Sequence, residues 1–190
     1  YTTIEARMEK IFLKDYQKPH FQILDVNLEF SLFDTYVTVI QKSRYYMDEL
    51  KPFFLNGLDQ EILELIFSEK DNPEKKLEFN VEKKNDGLLV SPAIKEFTLN
   101  IKTKINPYAN KSLEGLYASK AFLVTQCEAE GFRKITFFPD RPDVMTMYTV
   151  SIDADQKKFP ILLSNGNRIE KKSISDTRHR VTWTDPWKKP

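Results

Sequence analysis

A single cysteine, two histidines and five glycines stand among the 190 residues of this chain, and each scarcity closes a route. One cysteine, Cys127, cannot form an internal disulfide, so a stapled secreted scaffold is excluded and a reducing compartment, the cytoplasm, is the expected setting. A zinc site gathers several His, Cys, Asp or Glu ligands at close spacing. Here His20 and His179 lie at opposite ends of the chain, and no H-E-x-x-H occurs. So few glycines leave little room for a phosphate-cradling loop, and G-x-S-x-G is absent. No apolar run approaches the roughly 20 residues of a membrane-spanning helix. The opening YTTIEARMEKIF carries acidic residues and no apolar centre, so it does not read as a signal peptide. An excess of one charge is missing as well: 29 basic residues face 28 acidic ones, so neither nucleic acid nor an anionic membrane is an expected partner.

What is present is a period of two. Leu24, Val26, Leu28, Phe30 and Leu32 alternate with polar residues, and so do Phe97, Leu99, Ile101, Thr103 and Ile105. Successive strand side chains point to opposite faces, so each run has one apolar and one wet face, the mark of antiparallel sheets. Shorter runs of the same kind occur at Leu77-Phe79-Val81, Tyr148-Val150-Ile152, Phe159-Ile161-Leu163 and Val181-Trp183. The window Asp59 to Phe67 fits a strand at least as well as a helix. Asn56-Gly57, Asn85-Asp86-Gly87 and Asn165-Gly166-Asn167 offer turn residues, and the second reads as a hairpin between Val81 and Leu88. Residues 14–19 look like an arm, and Thr184 to Pro190 end no obvious element. With hydrophobic residues at 41% and no dividing linker, residues 1–190 read as one all-β domain of mostly antiparallel sheets packed as a sandwich.

Candidate chemistry concentrates between Leu113 and Met145, where aromatics, glycines, prolines and paired charges crowd together without clean alternation. Cys127 could pair with a histidine as a nucleophile, but a free cysteine is more often a small buried hydrophobe. Glu128 and Glu130 are two apart and would share a strand face. They could do acid–base work on sugars, or form a solvated pair beside Arg133 and Lys134.

In order along the chain, KDYQKPHF (Lys14 to Phe21), LDVNLEF (Leu24 to Phe30) and INPYANKSLEGLYAS (Ile105 to Ser119) are followed by TQCEAEGFRKITFFPDRPDVM (Thr125 to Met145). FPILLSNGN (Phe159 to Asn167) and RHRVTWTDPWKKP (Arg178 to Pro190) come last. Together they resemble the aminopeptidase N family of zinc metallopeptidases in its bacterial branch. The resemblance is most specific at TQCEAEGFR and DRPDVM, and the stretch from Gln41 to Glu96 adds little. It implies a saddle-like amino-terminal β domain that packs on a thermolysin-like catalytic domain holding the zinc. None of that second domain's motifs is in this chain, so truncation at a domain boundary is expected, with zinc in the parent enzyme and none in this fragment. The resemblance further implies that Glu128 binds the free α-ammonium group of a peptide substrate and that Gln126 borders the first side-chain pocket. Glu130 is then left to the scaffold, paired with Arg133 or Arg141, and Gly131 to a tight turn that fixes Glu128. Phe137, Pro139 and Trp187-Lys188 depart from the family's common residues without touching Glu128 or Gln126. A different class of function remains beside this one: a free-standing β-sandwich interaction module using aromatics such as Trp183 and Trp187, without enzymatic activity.

Overall fold

Alternating apolar side chains do become strands. The computed structural model describes residues 12–190, so the reading of the opening segment falls, up to residue 11, outside the described residues. In chain order the strands are β1 (Phe21–Leu32), β2 (Val37–Met47), β3 (Phe53–Asn56), β4 (Glu61–Glu69), β5 (Asn72–Leu77), β6 (Asn80–Lys84), β7 (Gly87–Ser91), β8 (Glu96–Ile105), β9 (Gly115–Ser119), β10 (Phe122–Gln126), β11 (Thr146–Asp155), β12 (Asn167–Ser173) and β13 (Arg178–Lys189). Among the described residues helix is confined to two 3-10 turns, Leu13–Asp15 and Phe132–Lys134. Among the described residues no helix is long and apolar enough to cross a membrane.

One sheet has eight strands in the order β12-β13-β11-β1-β2-β8-β4-β5. A second has the order β3-β7-β6, and β9 and β10 form a separate ribbon. Among the described residues the strand pairing is antiparallel except between β1 and β11, which run parallel with Val26 opposite Tyr148. The small sheet covers part of the large one. Phe53 of β3 lies 5.3 Å from the Tyr45 ring and 6.2 Å from the Phe97 ring, and those two stack at 5.2 Å. Val26, Val39, Leu99 and Ile101 are fully buried beneath them. This is an all-β sandwich with mixed and antiparallel sheets.

The strand readings need four adjustments. In β1 the inward residues begin as Phe21 and Ile23 and continue as Val26, Leu28 and Leu32, because a bulge between Ile23 and Asp25 shifts the phase and leaves Leu24 half-buried. The run Leu77-Phe79-Val81 is not one strand. It breaks at Glu78-Phe79 so that Phe79 can pack on Phe67 at 4.6 Å and on Phe97 at 4.9 Å, with β5 left in one sheet and β6 in the other. Phe159-Ile161-Leu163 is not a strand: Pro160 has no N–H to give a ladder, Leu162 is the buried residue, and Ile161 and Leu163 face out. The tail that ended no obvious element is strand, since β13 runs on to Lys189. Elsewhere the window from Asp59 is strand β4, and the hairpin stands at Asn85-Asp86 with neither residue at positive φ.

Candidate functional site

β10 ends at Gln126, and the chain then turns instead of extending. The Gly131 N–H donates to the Cys127 carbonyl at 3.0 Å, which closes a turn over 127–131. The 3-10 turn Phe132–Lys134 follows at once. Glu128 and Glu130 therefore sit on a turn and do not share a strand face, a correction to the alternating reading. The Glu128–Ala129 peptide is cis. Gln126 Nε2 donates to the Glu128 carbonyl oxygen at 3.3 Å, so the two residues singled out by the resemblance are in contact.

Two glycines allow this turn to lie against the start of β9. Gly131 has an ordinary φ of -115. A Cβ there would stand 2.4 Å from the Gln126 carbonyl oxygen and 3.1 Å from Gly115 N. Gly115 has a φ of +70, which an L side chain rarely adopts, and a Cβ there would meet Lys134 Cβ at 2.7 Å. Gly131 thus serves through close approach of backbones, not through an unusual dihedral.

The charges around the turn divide sharply. Glu130 Oε2 lies 3.4 Å from Arg133 Nη2, and Arg133 Nε donates to Asp140 Oδ2 at 2.8 Å. Arg141 pairs with Asp143, so of the two expected partners of Glu130 it is Arg133 that takes the role. Lys134 reaches Asp59 at 3.4 Å and Glu114 at 3.3 Å. Glu128 is exposed, and among the described residues its carboxylate has no ion pair or hydrogen bond.

Other candidates resolve into structure. Burial, with Asp140 adding a smaller effect, pushes the Cys127 thiol up to about 11, far from the thiolate that a nucleophile needs. His20 contacts the Lys51 carbonyl at 3.2 Å, and the buried His179 contacts the Phe159 carbonyl at 2.8 Å. Among the described residues no group of three His, Cys, Asp or Glu could hold a metal ion. Phe137 is buried with its ring where a Cβ on Gly57 would stand 2.2 Å away, which explains the glycine just after β3. Trp183 packs on the core, while Trp187 is exposed. Sequence reasoning missed Asp140, a buried carboxylate whose place inside FFPDRPD gives no periodic signal.

A family model described as the Peptidase M1 N-terminal domain matches residues 16–190. The chain is 42% identical over 179 residues to the Aminopeptidase N of Escherichia coli (strain K12), covering 93% of this chain and 20% of that protein. It is 40% identical over 182 residues to that of Haemophilus influenzae, covering 94% of this chain and again 20% of the relative. It therefore spans about a fifth of the length of these curated relatives. Among solved structures, Legionella pneumophila aminopeptidase A in complex with aspartic acid superposes with a TM-score of 0.81 at 28% identity, over 94% of this chain and 21% of that one.

Proposed function

We propose, from the premise that this chain belongs to the family of peptidase M1 N-terminal domains, that it supplies the amino-end anchor of a zinc-dependent aminopeptidase. The domain boundary at residues 1–190, the zinc-bearing catalytic domain as its partner, and peptides with a free N-terminus as substrates all belong to this reading. Glu128 is the anchor, and Gln126 borders the first side-chain pocket. This domain furnishes neither the metal nor the catalytic base.

One observation carries the assignment. Around a turn where Glu130 and, from neighbouring segments, Glu114, Asp59 and Asp140 are each committed to Arg133 or Lys134, the Glu128 carboxylate stays without a cation among the described residues. An exopeptidase must recognise a cation with several N–H donors. A carboxylate held on a braced turn accepts charge-assisted bonds from it, roughly twice as strong as neutral ones. A blocked amine offers no such charge and leaves the carboxylate unpaired, which discriminates against it. The Gln126 bond to the Glu128 carbonyl supports the turn from the side of the pocket that it would border.

The test is Glu128→Ala and Glu128→Gln in the full-length enzyme. A hydrogen bond to a charged group is worth about 1.5–3 kcal/mol. KM for unblocked peptides is therefore expected to rise by roughly 10- to 100-fold. Wild-type KM and kcat in both variants would remove Glu128 from the site.

A further inference from the structure

Three separated segments meet at Arg133. Its carbonyl oxygen accepts from the Leu58 N–H at 2.9 Å and from Gln60 Nε2 at 2.7 Å. Its main-chain N–H and its Nε both donate to Oδ2 of Asp140, at 3.1 and 2.8 Å, and its Nη2 donates to the Asp140 carbonyl at 3.1 Å. The same Nη2 stands 3.4 Å from Glu130 Oε2, inside the turn that carries Glu128. Asp140 is itself anchored, since its N–H donates to Asn56 Oδ1 at 3.3 Å and Asn56 bridges to Phe138. The Arg133 side chain is 16% exposed and that of Asp140 9%. A planar guanidinium gripping both the side chain and the main chain of one partner fixes orientation as well as distance. Partial burial makes that arrangement costly to abandon.

We infer that Arg133, locked by Asp140, is a positioning residue for the Glu128 carboxylate. The inference rests on the reading of Glu128 as the anchor. Binding an ammonium group productively demands placement to within a fraction of an ångström, and a misplacement of about 1 Å can cost on the order of 100-fold. The turn over 127–131 is exposed on its outer side and needs a brace from below. Arg133 provides it from two directions: its backbone continues the turn into the 3-10 segment, and its guanidinium reaches back to Glu130. In this role neither Arg133 nor Asp140 needs to touch the substrate. Both act through the position of Glu128.

The experiment places Arg133→Met and Arg133→Lys in the full-length enzyme, each in the wild-type and in the Glu128→Gln background. In the wild-type background KM for an unblocked peptide is expected to rise about ten-fold, with kcat changed much less, because the ammonium contact that weakens is made in the ground state as well as the transition state. In the Glu128→Gln background the same substitutions are expected to leave KM unchanged, because the anchor they position is gone. An equal rise in both backgrounds would make Arg133 a general support of the fold and overturn the inference. Wild-type KM in the Arg133 variants, with a raised KM in Glu128→Gln alone, would overturn it while leaving the anchor in place. No effect of Glu128→Gln on KM would instead sink the anchor, and the inference with it. Loss of the native circular dichroism spectrum in both Arg133 variants would assign the pair to stability alone, also against the proposal.

Discussion

A methyl group at Gly131 would collide with the Gln126 carbonyl, 2.4 Å away, and with Cys127 Cα, 2.8 Å away. These are backbone atoms that cannot swing aside as a flexible side chain would. Gly131→Ala is therefore expected to destabilise the domain by about 1–3 kcal/mol and to raise KM for unblocked peptides as the turn is pushed outward. The urea midpoint and the kinetics of the full-length variant check this, and an unshifted midpoint would mean the turn relaxes freely. Within TQCEAEGFR the neighbours have quite different physical lives. Cys127 is a half-buried filler whose thiol stays protonated, Glu130 is spent on Arg133, and Glu128 is left open. Nothing in spacing or composition separated Glu128 from Glu130. That assignment came from the resemblance, and the asymmetry of their partners is visible only in three dimensions.

Among the elements, the arm before β1 is held by side chains on the far side of the sequence. The Tyr16 hydroxyl donates to Asp143 Oδ2 at 2.9 Å, and Arg141 Nη2 donates to the Gln17 carbonyl at 2.9 Å. The Arg141 hydrogen bonds, with a further one from Tyr16, hold the Asp143 carboxyl below its usual range. A carboxyl depressed in the folded state contributes stability above its unfolded pKa and loses it as pH falls through the folded value. Amide exchange over residues 12–20, corrected for intrinsic rates, is expected to speed up below about pH 4, and in Asp143→Asn to be fast at every pH. Exchange indifferent to both would show that the tether lies elsewhere. The elements themselves were legible where pattern and pairing agree, as in β8, whose Phe97, Leu99, Ile101, Thr103 and Ile105 are all buried. They were illegible where tertiary contacts decide. No local signal announces the bulge that rephases β1, or the break that lets Phe79 reach Phe97. The Phe159 segment kept a strand-like rhythm, yet Pro160 and the bond from His179 to the Phe159 carbonyl hold it as loop.

Among the described residues one hydrophobic cluster joins both sheets, with Phe53, Leu55, Leu88 and Val90 of the small sheet in the same cluster as β1, β2 and β8 of the large one. Residues 1–190 alone are therefore expected to unfold in urea in a single transition, coincident by circular dichroism and tryptophan fluorescence, and to hydrolyse no peptide when zinc is added. Two resolved transitions would divide the domain, and zinc-dependent turnover would contradict the proposed division of labour. The large sheet ends at β5 and β12, and each carries charged residues along its exposed length, including Lys75 and Lys76 on one and Lys171 and Lys172 on the other, a device that discourages edge-to-edge pairing. Inside those edges lies a parallel seam, where Val26 of β1 meets Tyr148 of β11 across more than half the chain. During synthesis β1 can pair with β2 almost at once, but its other edge must wait for β11 to leave the ribosome. At roughly 5–20 residues per second that delay is on the order of ten seconds. Through that interval one edge of β1 has its partner β2 and the other has none, so the seam at the centre of the finished sheet is the last side of β1 to close.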